Sequence, residues 1–293
     1  MSIILASLAL VTGSVVQQEF LSESLKWRAE RVATLKKPEG WLTVAGLFWL
    51  SEGENSLGTR TGSKVLIPGT SGAASDIGSI VITKRKASLK VIDGVAVKVN
   101  GEVVHGAIAI KTDGEGAPDT IAVGSVTFKI IVRGKRIGVR LFDSNSIYMK
   151  EFNGCHWYPV SAAYRVKGKF VAYTPPKKVN ILNILGDIEP TNVPGYVEFT
   201  LNGKACRLDA QDEGNTLFFN FKDMTSGTIT YPPGRFLNVP KPVNGVVDMD
   251  FNKAVNPPCA FTAFATCPLP PQSNILKIRV SAGELIHHPA KTK

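Results

Sequence analysis

Turn dipeptides punctuate this chain. Asp93-Gly94, Asn100-Gly101, Asp113-Gly114 and Asn202-Gly203 each separate short apolar or alternating runs, and Pro68-Gly69 and Arg133-Gly134 break the chain further. Asn-Gly and Asp-Gly tolerate the positive φ that two-residue hairpin turns require, so the flanking runs read as antiparallel strands. In the first half these are Lys64–Ile67, Ser79–Thr83, Leu89–Ile92, Val95–Val99, Val103–His105, Thr120–Val123, Thr127–Val132 and Ile137–Phe142. In the second they are Tyr164–Tyr173, Gly195–Leu201, Ala205–Leu208, Thr216–Phe221, Thr228–Thr230, Val246–Phe251 and Leu276–Ser281. Spacing this regular predicts a mainly β fold. An antiparallel β-sandwich is expected over residues 40–145 and an antiparallel barrel-like module over 146–285.

A single N-terminal α-helix is predicted, over residues 15–39. Within it, Phe20, Leu21, Leu25, Trp27 and Leu35 recur at near-helical spacing among charges, and Pro38 stops the pattern. Ahead of it, Ile3–Val11 is a nine-residue apolar stretch followed by the small residues Thr12, Gly13 and Ser14. This is the pattern of a secretory leader spanning residues 1–14, although Met1-Ser2 supplies no basic residue. An exported protein, periplasmic or secreted, is therefore expected; the alternative is a cytosolic protein with a buried N-terminal element. No apolar run reaches the ~18 residues of a membrane span. Residues 286–293 form a polar tail.

With 44% hydrophobic and 20% charged residues, the chain is neither disordered nor a coiled coil. Lys and Arg outnumber Asp and Glu by 34 to 24, a net charge of +10. The densest basic cluster, Lys84-Arg85-Lys86, holds only three, and no aromatic-interleaved basic stripe appears. A basic solvated surface is expected, with no nucleic-acid partner. Gly-x-Ser-x-Gly, P-loop, Rossmann and His-Glu-x-x-His motifs are absent, as are CxxC and paired histidines. No nucleotide or metal cofactor is implied. Adjacent residues such as Cys155 and His156 would point to opposite faces of a strand, against their sharing a metal. Cys259 and Cys267 bracket a Pro-rich segment and form a disulfide candidate.

The most distinctive segments come late: Thr230–Leu237 (TYPPGRFL), Asp250–Pro271 (DFNKAVNPPCAFTAFATCPLPP), Asn274 and Ala282–Glu284. Together with Gly40–Gly58 (GWLTVAGLFWLSEGENSLG), they resemble a bacterial family known only as domain of unknown function 1684, over a stretch from Trp27 to Glu284. Val255 stands where that family is expected to carry an aromatic. The resemblance implies a frequently exported, β-rich protein and no assigned activity. A slighter likeness joins Leu50–Gly58, the Asn100-Gly101 turn, Asp119–Gly124 and Val126–Val132 to the forkhead-associated sandwich. That family's arginine after the first glycine turn is replaced by Thr59, with Arg60 one place late, and its Ser-x-x-His pair is absent. The likeness implies a scaffold without a phosphopeptide site.

Two readings of the Pro-rich segment follow from its chemistry. Prolines 257, 258, 268, 270 and 271 remove backbone donors and fix φ, so the loop needs polar support. In the first reading Asp250, Asn252, Asn256 and Asn274 cap the loop's own backbone. In the second the loop lines a pocket in which Arg235, Tyr231, Asn252, Asn256 and Asn274 bind ligand, Arg235 presenting its planar fork to a carboxylate or phosphate. Arg235 equally reads as the cation of a buried pair with Asp250 or Glu284. Asp250 and Glu284 are the candidate general acid and base of a glycosidase-like hydrolase. His156, beside Trp157 and Tyr158, is a further candidate base, and Arg140 with Asp143 reads as a local ion pair. The leading expectation is an exported, non-catalytic protein binding an unknown small-molecule or glycan-like ligand. The alternatives are a carboxylate-based hydrolase and a structural or protein-interaction module.

Overall fold

The computed structural model describes residues 3–288, with side chains from Gln17 onward. Residues 1 and 2 of the expected leader and the end of the tail, from 289, lie outside the described residues. Helix α1 spans Ile3–Leu35. Its backbone runs without interruption through residues 3–14 and ends three residues before Pro38. No helix among the described residues is long and apolar enough to cross a membrane.

The chain divides into two compact units. One comprises Leu35–Phe152 with Thr262–Ala265; the other comprises residues up to Thr34 with Asn153–Phe261 and Thr266–His288. The first unit carries β1 (Val44–Trp49), β2 (Gly53–Gly58), β3 (Val65–Leu66), β4 (Gly78–Thr83), β5 (Lys86–Val91), β6 (Val97–Val99), β7 (Glu102–Val104), β8 (Gly106–Ile110), β9 (Ile121–Val123), β10 (Val126–Arg133) and β11 (Arg136–Asp143). They form two sheets, β1-β11-β10-β9-β6-β7 and β3-β2-β4-β5-β8. Pairing is antiparallel except for the two-residue β2/β3 contact. Leu57, Ile80, Leu89, Ile121, Phe128 and Val139 pack into one core, the arrangement of a sandwich. The Leu50–Gly58 stretch, read as a glycine turn, contributes strand β2 instead. Its alternating residues Asn55 and Leu57 point inward and offset the helix- and strand-weak glycines at either end.

The second unit is built on one sheet in the order β16-β15-β14-β13-β12-β17, comprising β12 (Arg165–Leu182), β13 (Ile188–Leu201), β14 (Lys204–Glu213), β15 (Thr216–Phe221), β16 (Arg235–Pro240) and β17 (Val246–Asp250). The sheet curls until its edges nearly meet: Phe236 of β16 bridges Val255, five residues beyond β17. Val197, Leu208, Phe219, Leu237, Met249 and Phe251 fill its interior. Asn202-Gly203 makes the tight β13–β14 turn, with φ of 52° and 72°. The mainly β, antiparallel character and the barrel-like second module are therefore present.

Two expected strands are absent. Thr228–Thr230 is a turn, and Leu276–Ser281 is an irregular extended segment. The latter alternates because Leu276, Ile278 and Val280 plug the barrel core, while its backbone bonds only sporadically, as in Leu276 N to Lys222 O. No disulfide joins Cys259 and Cys267, which corrects the disulfide expectation. The Cys259 N–H instead donates to Cys267 Sγ at 3.2 Å.

Candidate functional site

Arg235 opens β16 and is wholly closed to solvent. Its Nη2 donates to Asp223 Oδ2 at 2.5 Å and to Val280 O at 3.0 Å, and its Nη1 donates to Ala282 O. A buried pair was expected, with Asp250 or Glu284; the partner is Asp223. The register explains this, because Phe221↔Arg235 pairing places the residues just past the end of β15 beside the Arg235 side chain. Asp223 is itself pinned by Thr225, whose N–H and hydroxyl donate to Oδ1 at 2.5 and 2.6 Å. Burial lowers the Arg235 guanidinium pKa, and Asp223 pulls it back up. With every approach closed, Arg235 does not present a fork to a ligand. Gly234, at φ 121°, permits the tight entry into β16; a Cβ there would meet Phe221 O at 2.5 Å.

The asparagines of the motif are internal staples. Asn274 donates to Asp209 O and Asn220 O, both at 3.0 Å, and accepts from Asp209 N at 2.7 Å. Asn252 exchanges two 2.9 Å bonds with the Ser161 backbone. Asn256 donates to Leu285 O at 2.7 Å. The Tyr231 hydroxyl donates to Cys259 O at 2.8 Å, and burial raises its pKa. Tyr231, Asn252 and Asn256 satisfy loop backbone, the capping role, whereas Asn274 bridges Asp209 and Asn220 just beyond the Gln211↔Phe218 end of the β14–β15 ladder. Three of these side chains are almost fully buried, so their expected role in ligand contact has no surface to act on.

Asp250 and Glu284 have separate partners. Glu284 is 1% exposed; its Oε2 accepts from Asn256 N at 3.0 Å and lies 3.8 Å from Arg31 Nε. Burial raises its carboxyl pKa, against the pull of Arg31. A carboxyl shut in this way has no path to a substrate, which removes the second member of the expected acid–base pair. Asp250 differs. Its Oδ1 accepts from Asn252 N at 3.1 Å and Asn252 Nδ2 at 2.9 Å, whereas its buried Oδ2 has no hydrogen-bond partner among the described residues. Lys253 Nζ stands 4.0 Å from that oxygen.

Asp250 lines a cavity of about 240 Å³ with Trp27, Arg165, Asn238, Asp248 and Lys253. Antiparallel β12–β17 pairing sets Arg165 opposite Asp250 and Lys167 opposite Asp248. The cations thus stand on one strand and the carboxylates on the other, sharing a face. Arg165 leans diagonally: its Nε and Nη2 donate to Asp248 Oδ2 at 3.1 and 2.7 Å, and Lys167 Nζ adds a 3.0 Å contact. These bonds hold the Asp248 carboxyl below its ordinary pKa and raise that of Arg165. Asp248 is consequently occupied and Asp250 Oδ2 is not. Helix α1 supplies Trp27, whose ring packs edge-on against Trp157 with centroids 5.8 Å apart. Arg28 stacks over Trp157 and donates to Tyr158 O at 2.9 Å, fixing the helix on this module. Sequence reasoning singled out Asp250 but took Trp27 for packing and passed over Asp248, Asn238 and Arg165. The only signal for those three was the placement of polar and charged residues on strands whose pairing is not visible from the sequence.

In class, this module is an antiparallel, barrel-like sheet with a small mixed-polarity cavity on one edge. Residues 150–285, the second module, match the family described as "Protein of unknown function (DUF1684)". The matched stretch begins at residue 150 and not at Trp27. Among solved structures, the chain is similar to an uncharacterized protein from gene locus rrnAC0354 of Haloarcula marismortui, determined by solution NMR. Identity is 31%, the match covers 46% of this chain and 78% of that chain, and the TM-score is 0.40. No curated protein matches the chain. In the first unit Arg60 pairs with Asp76 at 2.7 Å on the surface.

Proposed function

We propose that this protein binds a small polyhydroxylated, glycan-like ligand, without catalysis, in the Trp27–Asp250 cavity. The observation that carries this reading is Asp250 Oδ2, a buried acceptor with no hydrogen bond among the described residues and only the Lys253 ammonium 4.0 Å away, on the wall of a cavity that also presents an indole ring. Leaving a buried acceptor unmet costs about 1–3 kcal/mol, and a ligand hydroxyl would recover it. Asn238 and Lys253 add donors around the same space, and an aromatic with a few convergent polar groups is the usual composition of small-ligand sites. A hydrolase using Asp250 and Glu284 has less support, because Glu284 is enclosed. The Pro-rich loop is the scaffold of the module, held by its own asparagines and by Arg235–Asp223. Export belongs to the same proposal; its support is the apolar Ile3–Val11 stretch followed by Thr12, Gly13 and Ser14.

The test is native mass spectrometry of protein isolated without added sugars, run beside Asp250→Asn. The expected result is an extra mass of the saccharide series on the parent protein, lost on denaturation and absent from D250N. Bare protein in both samples, with no uptake when mono- and disaccharides are added, would refute the reading.

A further inference from the structure

A second cavity opens where the barrel sheet parts. β14 pairs with β13 through Lys204–Ala210 and with β15 through Gln211–Glu213. Beyond Gly195↔Ala210, β13 therefore has no partner on that side, and the outer part of the β12–β13 hairpin diverges from β14, β15 and β16. The register slip in β12 between Ala172 and Lys177 falls at the same level. A bulge bends a strand away from its neighbour, and such a parting leaves a gap between sheet layers.

That gap is a cavity of about 290 Å³. Glu189 lines it from the hairpin, Gln211 and Glu213 from β14, and Phe218, Phe236 and Asn238 from β15 and β16. The two phenyl rings meet edge to face with centroids 4.8 Å apart, so ring surface as well as carboxylate faces the space. Glu189 and Glu213 are the only charged residues lining it, in a chain whose net charge is +10. Neither belongs to an ion pair among the described residues, unlike the acidic groups Glu54, Asp76, Asp113 and Asp248, each of which has a cation. Glu213 is an exposed residue whose carboxyl is partly desolvated, which raises its pKa.

We infer that this cavity is a binding site for a small organic cation, a protonated or quaternary amine. Carboxylates on two sides pair with the ammonium, the phenyl faces attract it through their quadrupoles, and the Gln211 and Asn238 carbonyls accept its remaining N–H groups. An anion would meet two carboxylates and no cation there. A neutral ligand would leave both charges as they are. The inference is independent of the saccharide reading, because it uses different carboxylates; Asn238 is the one residue common to both cavities.

The experiment is a titration of the full chain with n-butylammonium, N-butylacetamide and butyrate, followed by the side-chain amide NMR signal of Gln211, which lines this cavity and not the Trp27–Asp250 one. The expected result is a saturable shift with n-butylammonium, binding weaker by about tenfold or more with the neutral amide, and no shift with butyrate. Glu189→Gln and Glu213→Gln, both with solvent-reachable side chains, should each weaken ammonium binding several-fold at unchanged melting temperature. Raising the salt concentration on the parent protein should weaken it as well. Equal response to all three probes, no saturable shift in the millimolar range, or unaltered affinity in E189Q and E213Q would each overturn the assignment.

Discussion

Arg235 and Asp223 form an ion pair that no solvent reaches, with Nη2 and Oδ2 2.5 Å apart at the mouth of β16. Removing one partner strands the other charge in the core, which typically costs ~3–5 kcal/mol. Arg235→Ala and Asp223→Ala should therefore each lower unfolding free energy by about that amount in urea titrations. A double substitution to apolar residues of similar volume should recover most of the loss. Single variants within ~1 kcal/mol of the parent would show that the pair does not hold the loop.

Glu284 predicts a pH dependence with a definite sign. Burial raises its folded pKa above the unfolded value of about 4.3, so the folded state binds the proton more tightly. Its favourable contribution is full below that unfolded value and is lost as pH rises through the folded pKa. Glu284→Gln, which cannot ionise, should gain on the parent protein between about pH 4 and 7. Thermal melts of both across this range read the difference; a constant gap would contradict it.

The Asn274 side chain bonds three backbone groups from two strands. Asn274→Ala would strand Asp209 N, Asp209 O and Asn220 O, at a cost of roughly 3 kcal/mol in total. Hydrogen exchange should show the Asp209 amide opening far faster in the variant, while amides of the first unit stay protected. Unchanged protection at Asp209 would remove Asn274 from its role as a staple.

Much of this fold was legible before any coordinate. Asn100-Gly101 and Asn202-Gly203 identified hairpins because few other sequences tolerate consecutive positive φ, and Thr216–Phe221 was read to the residue. β16 went unseen because Arg235–Pro240 is short and flanked by prolines, and its strand character comes from pairing with β15. The outer β12–β13 hairpin was missed for a similar reason: prolines 175, 176, 190 and 194 argue for a loop, and the strands persist because proline is tolerated at unpaired edges. Conversely, Leu276–Ser281 alternates like a strand because it plugs a core. At the site, Asp250 stood out in its motif. Asp223, Trp27 and Arg165 did not, because their roles depend on which strand ends and helix face meet in space.

The four thiols should differ in reactivity. Cys267 is 4% exposed and Cys155, Cys206 and Cys259 are partly open. In non-denaturing alkylation Cys267 should be modified last, and all four should react once the protein is unfolded without reductant. A mass deficit of two protons in the unreduced protein would instead indicate a bridge.

The cavity between α1 and β17 is tested most directly by titrating monosaccharides and disaccharides into the parent protein, Asp250→Asn and Trp27→Phe, with heat and tryptophan emission recorded together. The predicted result is saturable binding to the parent protein, accompanied by an emission change that Trp27→Phe abolishes, and affinity reduced about tenfold or more in Asp250→Asn at unchanged fold. Binding that survives both substitutions, or no binding to any of the three proteins, would contradict it.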